Sequence, residues 1–185
     1  MKEHLRRTKI MMGTTHKLGG FCTGIMASAI MTQLPLTTEK LTMCAILVGG
    51  SVVGSLLPDI DHTNSTMGKK HKVISKCTNV LFGHRGITHA PLMYFLLFGI
   101  LFNILNHANF TLQPFAIAAV FGLFLGIMSH LALDIITKSG IPIMYPFSKE
   151  KVHIAKFRSD KDNGKVSIVL ILLTIIVVFF QIRVL

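Results

Sequence analysis

Leu57-Pro58-Asp59-Ile60-Asp61-His62 closes an apolar run that begins at Leu41, and it sets two carboxylates and an imidazole where that run stops. The chain has only eight Asp and Glu among 185 residues, so two acids one residue apart at the end of a greasy segment need a reason. Two readings compete. Pro58 cannot continue a hydrogen-bond ladder, and Asp and His solvate a loop, so the hexad is a helix stop. The same run offers oxygen and imidazole donors within one turn, the combination that hard or borderline divalent cations take. Taken alone the hexad favours the helix stop, and the flanking sequence shifts the balance toward the cation.

Apolar residues make up 51% of the chain, Trp is absent and the mean hydropathy is +0.60. That is too oily for a soluble domain of this length and reads as an integral membrane protein. Each helical crossing needs about 20 apolar residues, or about 17 when short. Five runs qualify or come close: 18–34, 41–57, 91–105, 115–136 and 166–182, the third being the shortest. The expected architecture is an all-α polytopic membrane helical bundle of about five crossings, one membrane domain over 1–185.

A net charge of +11 would suggest nucleic acid in a soluble protein, but here its distribution decides. Lys2, Arg6, Arg7, Lys9 and Lys17 precede the first run. Lys69, Lys70, Lys72, Lys76 and Arg85 lie between the second and third. Lys138, Lys149, Lys151, Lys156, Arg158, Lys161 and Lys165 lie between the fourth and fifth. Only Lys40 and Arg183 fall on the other connections, so 17 of 19 basic residues share one side. This places the amino terminus and the loops 58–90 and 137–165 in the cytoplasm. It makes anionic lipid the partner of the positive charge and removes nucleic acid. Cys22, Cys44 and Cys77 are odd in number and far apart, which gives no disulfide framework. A cleavable signal peptide ending at Ala27-Ser28-Ala29 is disfavoured by Gly19, Gly20 and Gly24, which break the run before it.

The membrane runs carry stripes at a spacing of four. His16, Gly20, Gly24 and Ser28 form one. Ser51, Ser55 and Asp59, beside Gly50 and Gly54, form a second, and Gly122, Gly126, His130 and Asp134 form a third. On helices each is one face, and small side chains let backbones approach closely in lipid. A single glycine pair means only packing. Three stripes that each run into a His or Asp at the same membrane face imply that those residues meet. His130 and Asp134 could also be a helix-terminal hydrogen bond, but ionisable groups at membrane helices are expensive and usually functional. Between the second and third runs a polar turn, 63–68, precedes a basic and apolar stretch, 69–81, spaced for a short interfacial helix. Gly83-His84-Arg85-Gly86-Ile87-Thr88-His89 follows, and Pro91 opens the next run at a favourable first-turn position. His107, in the outer loop, reads as a polar loop residue. The loop to Lys165 is long enough to fold over a site, and the last run reads as a plain anchor.

Sorted by side, His16, Asp59, Asp61, His62, His84, His89, His130 and Asp134 all fall at the cytoplasmic boundary. His and Asp donors without a Cys partner suit Zn²⁺, with Mn²⁺ or Fe²⁺ as alternatives, and there are enough donors for one or two ions. An ion with an open position activates water at neutral pH, so hydrolysis is the direct expectation. Arg85, Lys156 and Arg158 are candidates to bind the anionic oxygens of a phosphate ester. A site at headgroup depth implies a lipid-linked or interfacial substrate.

At these residues the chain resembles the YdjM family, described as LexA-regulated (and so tied to the SOS response), membrane-bound, predicted metal-dependent hydrolases of bacterial inner membranes. The resemblance rests on four ordered blocks. They are Thr15-His16 with Gly19 or Gly20, Leu57 to His62 with Ser65 and Gly68, His84-Arg85-Gly86-Ile87-Thr88-His89, and Ser129-His130-Leu131-Ala132-Leu133-Asp134-Ile135-Ile136-Thr137. A looser similarity to zinc-dependent phospholipase C implies His16, Asp59, His89, His130 and Asp134 as metal ligands. The chain lacks that family's amino-terminal Trp and its later HisxxxGlu pair, so one or two ions are expected in place of three. Around such a centre Asp61 would bridge ions or act as general base. His62 or His84 would protonate the leaving group, and Arg85 would hold phosphate. Two rivals remain: a metal-ion or proton transporter, since a cation pathway also needs intramembrane His and Asp, and a non-catalytic membrane protein with a structural metal.

Overall fold

Thr37 begins the second helix by accepting the Lys40 N–H on its hydroxyl at 3.2 Å, and the helix runs as far as the Pro58 turn permits. The computed structural model describes residues 2–31, 37–82, 86–108, 110–138, 140–155, 157 and 162–184. Among these, α1 (Lys2–Met31), α2 (Thr38–Gly54), α3 (Thr66–Lys70) and α4 (Lys72–Phe82) come first. Then come α5 (Pro91–His107), α6 (Gln113–Ile135) and α7 (Asn163–Val184), with 3-10 turns at Pro58–Asp61 and Ile87–His89. Pro91 and Pro114 sit in the first turns of α5 and α6, where a missing N–H costs no ladder bond.

Among the described residues, three segments are long and apolar enough to cross a membrane: Thr38–Asp61, Gln113–Ile135 and Asn163–Gln181. Pro91–His107, of 17 residues, is apolar but shorter. The five expected runs thus resolve into three full-length candidates and one short one. The first run differs most. Instead of a helix starting near residue 18, α1 is continuous from Lys2, because Lys, Arg and Glu are good helix formers once a downstream face is anchored. Residues 32–34 lie outside the described residues. The expected interfacial helix over 69–81 is two helices, broken at His71. Ser65 caps α3 by accepting the Gly68 N–H at 2.9 Å. On α4, Val73, Ile74 and Val80 are exposed.

The packing follows the small-residue stripes, and the most extensive pair is α2 with α6. A Cβ on Gly126 would run into the Ser51 carbonyl, on Gly122 into the Leu47 carbonyl, and on Gly54 into the Leu123 carbonyl. Backbone therefore touches backbone along the whole seam. The α1–α2 contact works the same way: Ser51 Oγ donates to the Gly20 carbonyl at 2.7 Å, and a Cβ on Gly20 would sit 2.5 Å from the Ser51 oxygen. On the other flank of α6, α5 packs Phe98 against Ile127 and Leu131. α7 lies outermost, against α1.

Candidate metal centre

Four separate segments deliver side chains to one buried place. α1 supplies His16, the Pro58–Asp61 turn supplies Asp59 and Asp61, the Ile87–His89 turn supplies His89, and the last turns of α6 supply His130 and Asp134. His16, Asp61, His89, His130 and Asp134 are buried, and Asp59 is 23% exposed along its side chain. The placement of Asp59 is local in origin. Pro58 tightens the chain into a 3-10 turn, and Ser65 Oγ donates to the Asp59 carbonyl at 2.6 Å. Gly68 can pass beneath because a Cβ there would meet the His62 carbonyl.

His130 Nδ1 lies 2.7 Å from the Ser55 carbonyl oxygen, which can only accept. In the neutral ring the proton is therefore on Nδ1, and Nε2 keeps its lone pair. That Nε2 is buried with no hydrogen bond among the described residues, and it stands 3.9 Å from Asp59 Oδ1 and 3.7 Å from Asp134 Oδ2. His89 is built likewise. Its Nδ1 is 3.6 Å from Asp61 Oδ2 and 3.1 Å from Thr88 Oγ1, while Nε2 is 3.3 Å from Asp134 Oδ2. Thr88 Oγ1 donates to Asp61 Oδ2 at 2.7 Å, and the Tyr94 hydroxyl fixes the Thr88 carbonyl at 2.8 Å. Burial works against a charged His89 ring, but hydrogen bonding and charge from Asp134 and Asp61 outweigh it and hold its pKa above the ordinary value. His16 Nε2 is 3.7 Å from Asp134 Oδ1, and its ring stacks on His130 at 3.8 Å between centroids.

Two donor groups result, His16 with His130 and Asp134, and Asp59 with His89 and His130, each with its donor atoms within 4.8 Å of one another. Bonds of about 2.1 Å in tetrahedral geometry put donors about 3.4 Å apart; within these groups the His16–Asp134 and His130–Asp134 separations are 3.7 Å and His130–Asp59 is 3.9 Å, so the donors would close in around an ion. Imidazole and carboxylate, with His130 held in the metal-ready tautomer, fit a divalent cation. A carboxylate in the last turn of α6 also opposes the helix dipole, so Asp134 is not there for helix stability.

The residues expected as ligands are thus the ones brought together. Asp61, expected as bridge or base, stands behind His89, where it orients that ring. His62 Nδ1 accepts the Asn64 N–H at 3.1 Å in the turn that follows. His84, Arg85, Lys156 and Arg158 lie outside the described residues. Ser55, Thr88 and Tyr94 were not anticipated in these roles. The contribution of Ser55 is a backbone carbonyl, which no residue type announces. Thr88 adjoins His89 within a block already singled out, and that adjacency was the available signal. Beside the cluster a small open cleft, of about 30 Å³, is lined by Thr15, His16, Asp134, Thr137, Phe157 and Asn163, among others.

A family model described as YdjM inner membrane protein matches residues 11–184. The chain is 32% identical over 136 residues to the Bacillus subtilis (strain 168) protein named "Uncharacterized protein YvsG", covering 74% of each chain. It is 36% identical over 100 residues to the inner membrane protein YdjM of Escherichia coli (strain K12) and that of Shigella flexneri. Those alignments cover 54% of this chain and 49% of each relative, so they span about half the length of those two proteins. No solved structure matches.

Proposed function

The chain belongs to the YdjM family of inner membrane proteins, and from that premise we propose that it is a membrane-embedded, metal-dependent hydrolase of a lipid-linked phosphoester, working at the cytoplasmic face. The observation that carries this reading is the convergence of His16, Asp59, His89, His130 and Asp134 from four chain segments into one buried cluster beside an open cleft. The charge asymmetry of the loops supports an amino terminus in the cytoplasm, and the apolar character of α1 beyond residue 18 and of α5 supports five crossings. Zn²⁺ is the preferred ion, Mn²⁺ and Fe²⁺ the alternatives, in one or two copies.

When bound, a divalent ion supplies Lewis acidity toward a phosphoester and a nucleophile at neutral pH. The chain's own residues do the rest. The Ser55 carbonyl and Asp61 hold the His130 and His89 rings with Nε2 facing inward, and Thr88 keeps Asp61 from turning away. Thr15, Thr137 and Asn163 line the cleft where a substrate's polar part would be oriented, and burial of the cluster limits stray water. Arg85, Lys156 and Arg158 are the side chains proposed to bind the ester's anionic oxygens, with His62 or His84 as the acid for the leaving group.

Metal content of the purified protein tests this, wild type against His130→Ala, together with a screen of phosphoesters with and without chelator. Bound metal in the wild type, lost in the variant, and turnover that chelation abolishes and Zn²⁺ or Mn²⁺ restores are the expected results. Equal and negligible metal in both proteins would end the hydrolase reading. Metal-dependent uptake into vesicles without turnover would replace it with transport.

A further inference from the structure

The segment joining α6 to α7 contains a built element with an unsuitable surface for water. Ile141 and Val152 pair antiparallel, with N–H to O bonds of 3.1 and 2.9 Å, closing a hairpin. Its base is fastened to the end of α6: Ile154 and Phe157 donate to the Ile135 and Ile136 carbonyls at 2.9 and 3.2 Å. Ile141 belongs to the core formed with Phe98, Ile127 and Leu131, and Pro142 is fully buried. Gly140, at φ +61°, makes the turn into the hairpin, and a Cβ there would press on the Val152 carbonyl at 2.6 Å. So the element is tied down on one side and bare on the other. Phe147 is 82% exposed, Ile154 75% and Met144 59%.

Lys149 and Lys151 are exposed within the hairpin and Lys138 is exposed at its base, with Glu150 the one acid between Lys138 and Ile154. An apolar tip with a lysine collar is the composition that settles at a membrane interface, the rings among acyl chains and the ammonium groups at anionic headgroups. Position agrees with composition. The hairpin hangs from the last turn of one apolar helix long enough to cross a membrane and leads into another, so its base lies where those helices leave the bilayer.

We propose that the exposed side of the hairpin, Met144 and Phe147 at its tip and Ile154 at its base, is embedded in the leaflet beside it, with Lys138, Lys149 and Lys151 paired to anionic headgroups. The occupant of this surface is lipid. Phe157, at the base, also lines the cleft that His16 and Asp134 adjoin, so an embedded hairpin sets the mouth of that cleft at headgroup level. Only this last consequence rests on the hydrolase reading.

The chain contains no Trp, so Phe147→Trp creates a single emitter in the full-length protein. Reconstituted into vesicles of phosphatidylcholine and phosphatidylglycerol, it is read with bromine-labelled phosphatidylcholine and with acrylamide, a neutral quencher that the lysines do not concentrate. With the ring roughly 5–10 Å below the headgroup boundary, roughly half the emission should be lost to brominated lipid, and little to acrylamide. Ile154→Trp gives the same reading from a second position if the first variant folds poorly. Emission quenched by acrylamide and indifferent to bromine overturns the proposal. Shielding from both quenchers also overturns it, since protein would then cover the tip. Metal content of the Phe147→Trp protein reports separately on the hydrolase reading: an embedded tip without metal sinks that reading alone, and a water-exposed tip with metal sinks this one alone.

Discussion

Asp59 and Asp61 are one residue apart and do different things. The 3-10 turn from Pro58 to Asp61 sends Asp59 toward His130 Nε2 and Asp61 toward the far nitrogen of His89. Asp61 therefore acts through His89, and its removal should weaken metal binding while leaving the donor set intact. Asp61→Asn keeps the shape and loses the charge, and metal affinity is expected to fall about 10- to 100-fold, the usual penalty for losing a carboxylate behind a ligating histidine. Titration of the metal-free protein with Zn²⁺ measures it. Affinity equal to wild type would show that Asp61 serves only the local fold.

The helices are arranged by glycines that differ sharply in what they face. Gly126 has the Ser51 carbonyl where a side chain would go, whereas Gly49, on the same helix as Ser51, has nothing within 4 Å. Gly126→Ala must therefore push α6 off α2, at an expected cost of about 1–3 kcal/mol for overpacking, and it moves His130 away from Asp59 at the same time. Gly49→Ala should leave stability unchanged or raise it, as Ala in a helix usually does. Thermal unfolding in detergent, paired with metal content, separates the two variants. Equal behaviour would mean that the seam yields more easily than its backbone contacts imply.

At the scale of the whole chain, the all-helical class and the His and Asp cluster were legible because helical periodicity survives in the sequence. Residues four apart, such as Gly122, Gly126, His130 and Asp134, share a face whatever the neighbours are. The extension of α1 to Lys2 was hidden because basic residues read equally well as a flank and as a helix. The support of His130 by Ser55 depends on how two helices register, which local sequence does not encode. That register has an electrostatic corollary. α2 ends at Gly54, capped by Ser55, and α6 at Ile135, both beside the cluster, so two helix carboxyl termini aim roughly half a negative elementary charge each at it. Under the proposed hydrolase function, a scaffold that repels anions until positive charge arrives predicts ordered loading, the cation first and the ester second. Calorimetry with inorganic phosphate should give no binding to the stripped protein and clear binding after Zn²⁺ is added; equal binding in both forms would refute compulsory order.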